Sequence, residues 1–103
     1  MELRINWTDF AKKELKNIFD YYKENAGLNV ARKIVIDITR ESLKLQKQPN
    51  IGQKEELLQD SDLDYRYFLH EHYKVIYCIN KNTIDVYDVF DTRQNPKKIT
   101  RKK

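Results

Sequence analysis

Apolar and polar residues alternate at the start of the chain, with Leu3, Ile5 and Trp7 separated by Arg4 and Asn6, which is the period of a half-buried strand. Thr8 follows as a candidate N-cap, and Asp9 in the next turn complements a helix dipole. Phe10, Ala11, Leu15, Ile18, Phe19 and Tyr22 then recur at helical spacing up to Gly27, where a glycine tolerates the left-handed conformation that ends a helix. A second helix is predicted from about Asn29. Ala31, Ile34, Val35, Ile38, Ser42 and Leu45 form its buried stripe, and Pro49 marks its end. So few residues separate the two helices that they must fold back as an antiparallel hairpin.

Residues 51–64 are the least regular stretch, with Glu55, Glu56, Asp60, Asp62 and Asp64 around Leu57-Leu58, and read as a surface connection with one helical turn. Three β-rich runs follow: Tyr65 to Leu69, Tyr73 to Ile79 and Thr83 to Phe90. His70-Glu71-His72 and Asn80-Lys81-Asn82 separate them. Polar connections this short predict an antiparallel meander. The order β-α-α-β-β-β predicts an α+β fold in which the helical hairpin covers one face of the sheet. On the middle strand Tyr73, Val75, Tyr77 and Ile79 share the core face, while Lys74, Ile76 and Cys78 face away.

At 103 residues the chain is long enough for one core of two packed layers. We expect a single domain over residues 1–96 and a basic tail over 97–103. Six of the 20 Lys/Arg lie from Arg93 onward with no acid among them, leaving 14 against 16 acids in the body. That asymmetry points to an anionic partner at one end of the molecule. Two glycines exclude a Gly-rich phosphate loop, and the single Cys78 cannot form an internal disulfide. No apolar run approaches the roughly 18 residues of a membrane span, and the start lacks a signal-peptide pattern, so a cytoplasmic protein without membrane contact is expected.

The predicted meander brings His70, His72, Lys74, Asp91 and Arg93 to one edge of the sheet. This could be a cationic open face near the basic tail, suited to a phosphate backbone or acidic peptide, or simply a solvated sheet face with turn residues. His70 and His72 alone do not make a metal site, which needs three or four ligands, so neither metal nor cofactor is expected. Cys78 has no signalled His or Asn partner and reads as a small buried hydrophobe. Of the seven tyrosines, Tyr65, Tyr67 and Tyr87 are placed where bases could stack on them.

Trp7 ahead of a helix with Ala11, Leu15, Ile18 and Tyr21-Tyr22, Gly27 and Ala31 at the second helix, Ile38, Leu45 and Pro49-x-x-Gly52 recur in a familiar order. So do Tyr65-Arg66, Tyr73-Lys74-Val75-Ile76-Tyr77 and a last strand ending at Arg93. Over nearly its whole length the chain thus resembles the RelE/ParE superfamily of bacterial type II toxin–antitoxin toxins. The resemblance implies a growth-inhibiting toxin neutralised by a cognate antitoxin whose C-terminal segment wraps over it. An amphipathic, acidic partner segment is therefore expected in an apolar groove beside the helical hairpin.

Two branches of that superfamily differ in chemistry. RelE-like members resemble ribosome-dependent mRNA endonucleases that work without a metal, and this branch would give charge-stabilising roles to Lys74, Arg93 and Arg66. A proton acceptor and a donor are also required. Phe68 and Ile99 stand where that branch has a basic residue and a tail tyrosine, leaving two roles unfilled, for which His70, His72 or Glu55 could substitute. ParE-like members resemble inhibitors of DNA gyrase and carry no hydrolytic site. The long hairpin, Pro49-x-x-Gly52 and the lack of an aromatic or histidine after Arg93 fit this second branch better. Arg66, His70, His72, Lys74, Arg93, Lys97 and Lys98 are then candidates for contact with the antitoxin or the target, which is gyrase or, on the alternative reading, the ribosome with its mRNA. A nontoxic interaction module on the same fold is a third reading.

Overall fold

The computed structural model describes residues 3–58 and 63–101. Asp60, Asp62, Lys102 and Lys103 lie outside the described residues. Strand β1 (Arg4–Trp7) leads into helix α1 (Asp9–Ala26), then α2 (Leu28–Leu43) with a 3₁₀ turn at Lys44–Gln46. A two-residue strand β2 (Gln53–Lys54) and a 3₁₀ turn (Glu56–Leu58) precede the meander β3 (Tyr65–His70), β4 (Tyr73–Ile79) and β5 (Thr83–Asp91), and a short helix α3 (Lys97–Arg101) follows. The five strands are ordered β1-β5-β4-β3-β2, with the meander antiparallel and β1 joined in parallel to β5. No helix among the described residues is long and apolar enough to cross a membrane.

Local chemistry sets the helix ends. The Thr8 hydroxyl accepts from the Ala11 N–H at 3.1 Å, satisfying one of the orphan donors of α1. Gly27, at φ +100°, ends α1 by donating its N–H to the Tyr22 carbonyl at 3.0 Å, and α2 starts at the next residue. A single glycine therefore makes the whole helical corner, because few side chains accept that backbone angle.

Two cores form, one on each face of the sheet. Against the helices, Ala11, Ile18 and Ile38 meet Tyr73, Val75, Val86 and Val89, and an adjoining cluster of Leu45, Tyr77 and Ile84 extends it. The alternation read on β4 is observed, with Tyr73, Val75 and Tyr77 inward. The opposite face is not open as the sequence led us to expect. Ile76 and Phe90 are covered there by Leu58 from the 3₁₀ turn and by Ile99 from α3, with Tyr65, Tyr67 and Tyr87 packed around them. Tyr87 is the extra residue of a bulge, since Ile76 pairs with Asp88 and Tyr77 with Val86.

Ile99 is fully buried although it sits in a lysine-rich segment, so α3 is held by one apolar side chain. Ile99→Ala is expected to lower unfolding free energy by about 2 kcal/mol and to release α3, read by urea denaturation and by loss of amide protection over 97–101.

Candidate functional site

The end of the sheet that gathers His70, His72, Asp91 and Arg93 is built by a tight hairpin. Glu71, at φ +53°, turns β3 into β4, and both the N–H and hydroxyl of Thr92 donate to the His72 carbonyl, at 2.9 and 2.7 Å. The His72 ring lies against Tyr73 at 4.2 Å between centroids. Just beyond β5, Arg93 folds back onto Asp91, its Nε 3.0 Å from Oδ1 and its Nη2 2.8 Å from Oδ2. The Arg93 side chain is still 61% exposed, at the mouth of a pocket of about 380 Å³ that Glu14, Asn17, Tyr21 and Tyr73 also line. It can therefore meet an anionic group of a partner by exchanging one carboxylate for another.

The guanidinium of Arg93 holds the Asp91 carboxyl below its ordinary pKa, chiefly through the side-chain hydrogen bond. A carboxyl depressed in this way contributes stability that is present above the ordinary carboxylate pKa and lost as pH falls through its own lowered value. Arg93→Ala is expected to return Asp91 to the ordinary range, seen by carboxyl NMR titration. The small stability difference between the two proteins is expected to vanish in acid.

Lys74 and Arg66 are committed elsewhere. Lys74 lies on the face away from the helices, with Nζ 2.8 Å from Oε2 of Glu55 and 4.3 Å from the centre of the Tyr67 ring. Glu55 is 2% exposed and its other oxygen accepts from the Leu57 N–H. Arg66 donates to the carbonyls of Asn50 and Gly52, at 3.3 and 3.0 Å, and to the Asp64 carboxylate at 3.1 Å. The Tyr77 hydroxyl completes that clamp by donating to the Pro49 carbonyl at 2.8 Å and accepting from the Gly52 N–H at 3.0 Å. Lys74, Arg66 and Arg93 thus occupy three separate places rather than one constellation. Lys97 and Lys98 are exposed on α3.

Cys78 is buried, and burial, with Asp85 next in effect, pushes its thiol up, so it stays protonated and poorly nucleophilic. Among the described residues no group of three or more His, Cys, Asp or Glu side chains is placed to hold a metal. Tyr65 and Tyr67 pack on the rim of the second core, and Tyr87 lies 5.3 Å from Tyr65 between ring centroids. A further feature lies between the β1 edge and the helical hairpin. Trp7, Leu15, Phe19 and Val35 line an apolar pocket of about 410 Å³ with Lys12, Lys16 and Thr39 at its border. Leu15, which also packs against the core, and Phe19 stand at i and i+4 on α1, and this broad apolar stripe is the sequence signal that foretells the pocket.

Comparison with known proteins places these features in a family. The family model of the ParE toxin of the type II toxin–antitoxin system parDE matches residues 5–96. A chain of the chromosomal ParDE system from P. aeruginosa superposes with a TM-score of 0.72 at 22% identity, covering 87% of this chain and 96% of that one. A chain of the YoeB dimer from Staphylococcus aureus gives 0.58 at 19% identity, covering 86% of this chain and 95% of that one. These likenesses show a shared fold. No curated protein matches the sequence. The family match ends before α3, so the segment carrying Ile99 lies outside it.

Proposed function

We propose that this chain, which belongs to the ParE toxin family of type II toxin–antitoxin systems, arrests growth by binding a macromolecular target in the cytoplasm, DNA gyrase in the first instance, and not by hydrolysis. The observation that carries this reading is the closed second face of the sheet. Leu58 and Ile99 close over Ile76 and Phe90, and Lys74 on that same face is paired with the buried Glu55 at 2.8 Å, so the cation that an endonuclease would aim at a phosphate already has an anionic partner within the protein. Arg93, which lines its pocket, and Lys97 and Lys98 on α3 are exposed and suit an anionic surface.

A cognate antitoxin follows from the family, and the apolar pocket bordered by Lys12 and Lys16 fits an amphipathic acidic segment. The endonuclease reading draws on one feature, the Glu55–Lys74 acid and base pair.

Induction of the chain alone is expected to halt growth, and co-expression of the antitoxin encoded beside it to restore growth. Arg93→Ala is expected to relieve the arrest by about a hundredfold in surviving colonies while the purified variant stays folded. Unimpeded growth at a high level of intact protein would refute toxicity and leave a nontoxic interaction module.

A further inference from the structure

The solvent sides of the two long helices differ in kind. On α1 one large apolar side chain is exposed, Tyr21, whereas α2 exposes Leu28, Val30, Ile36 and Leu43. At 3.6 residues per turn Arg32, Ile36, Arg40 and Leu43 fall within about 80° of arc, on the side of α2 turned away from the buried Ala31, Ile38 and Ser42. Ile36 is 45% and Leu43 53% exposed, and both arginines are exposed. Cation and apolar side chain thus alternate along one open stripe of the helix.

The two acids of α2 are already engaged. Lys33 Nζ stands 2.8 Å from the Asp37 carboxylate and Lys44 Nζ 3.3 Å from that of Glu41. The hydrogen bond from Lys33 is the chief cause that holds the Asp37 carboxyl below its ordinary pKa. Arg32 and Arg40, by contrast, form no hydrogen bond or ion pair among the described residues. At 1.5 Å per residue they stand about 12 Å apart along the helix axis, with Ile36 midway. That spacing selects the occupant. A phosphate backbone would leave Ile36 and Leu43 facing charge, and two apolar side chains bordered by Asp37 and Glu41 are a poor anchor for an anionic bilayer. A second copy of the stripe would set arginine against arginine. An acidic amphipathic helix, with carboxylates about two turns apart and apolar residues between, complements all four side chains.

We infer that the solvent face of α2 docks on an acidic amphipathic helix of the target protein, DNA gyrase on the reading above. Arg32 and Arg40 receive its carboxylates, each through the two parallel hydrogen bonds that a guanidinium fork offers, while Ile36 and Leu43 pack on its apolar residues. The arginines set orientation and the apolar pair supplies the dry centre of the contact. α2 lends no residue to the Arg93 pocket, so this is a second contact on another element. None of the four residues lines the apolar pocket bordered by Lys12 and Lys16, so target and antitoxin contacts are separable. The inference rests on the toxin reading above, and goes beyond it in assigning the kind of target surface recognised and the residues of α2 that recognise it.

The test compares the parent chain, the double variant Arg32→Glu with Arg40→Glu, and Ile36→Ser for affinity to purified, DNA-free gyrase by biolayer interferometry. The changes are at exposed positions, so unfolding midpoints close to the parent's are expected. The double variant is expected to bind gyrase about a hundredfold more weakly, with the difference shrinking in high salt, and Ile36→Ser about tenfold more weakly. Both are expected to bind the antitoxin encoded beside the chain as the parent does. If the charge reversal unfolds the chain, Ile36→Ser decides alone. Gyrase binding equal to the parent's overturns the stripe and leaves the toxin reading standing. No gyrase binding by the parent overturns both. Antitoxin affinity that falls in step with gyrase affinity assigns the stripe to the antitoxin and overturns the proposal. Sedimentation of the parent with phosphatidylglycerol vesicles, or its retardation of duplex DNA, either one abolished in the double variant, assigns the stripe to lipid or nucleic acid and overturns it as well.

Discussion

Lys74→Ala is expected to lower the unfolding free energy by about 3 kcal/mol, measured by urea denaturation, because it strands a buried charge. Glu55 is 2% exposed and Lys74 19%, and Glu55, 2.8 Å from Lys74, immediately precedes the 3₁₀ turn that carries Leu58. The pair need not be worth that much in itself, since desolvation offsets most of its Coulomb attraction. The loss arises from leaving the carboxylate without its partner. Glu55→Gln combined with Lys74→Met is therefore expected to recover more than half of the deficit, and a strictly additive double variant would show that the two side chains do not act as a pair. This bears on function directly. Loss of toxicity in Lys74→Ala is explained by a damaged fold and says nothing of phosphoryl chemistry, whereas retention of toxicity in the Gln–Met double variant would exclude Lys74 and Glu55 from catalysis.

Gly52→Ala is expected to be comparably harmful, at about 3 kcal/mol, for a backbone reason. A β-carbon at Gly52 would press on the Tyr77 hydroxyl, lie 2.7 Å from the Tyr67 carbonyl oxygen and 2.9 Å from Tyr77 Cε1. Neither neighbour can give way, since Tyr77 is fully buried and Tyr67 is held in the β3 ladder. The loop must move instead, breaking the Tyr77 bridge to Pro49 and the Arg66 bond to Gly52 together. Tyr77→Phe removes only the hydroxyl and is expected to cost less, about 1.5 kcal/mol. A Gly52→Ala protein as stable as the parent in urea would show that the loop is not clamped as described.

The features legible in the sequence are those fixed by neighbours along the chain. Thr8 and Gly27 declare the helix ends, and the alternation of Tyr73, Val75 and Tyr77 declares the side of β4 that packs against the helices. The superfamily was also legible, from the order of modest motifs over nearly the whole length, and the family match bears it out. What sequence did not disclose depends on distant partners. Ile99 is a lone apolar residue among lysines with no periodicity, yet it closes a core with Leu58, Ile76 and Phe90. Arg66 binds two backbone carbonyls, which have no sequence signature, and so looked free for function. Glu55 was one of several acids in an irregular stretch, and only the fold shows which one is buried against Lys74. The pairing of β1 with β5 joins opposite ends of the chain.

Arg93 now has a clearer standing than the rest of the basic segment, because it is both exposed and already shaped to hold a carboxylate. The central claim, action on a target by binding with the hydrolytic face closed, is tested most directly by adding the purified chain in parallel to DNA gyrase with relaxed plasmid and to translating ribosomes. The account predicts loss of ATP-dependent supercoiling, weakened by Arg93→Ala, with the ribosome-bound mRNA left at full length. Cleavage of that mRNA at fixed codon positions, with supercoiling unaffected, would contradict it.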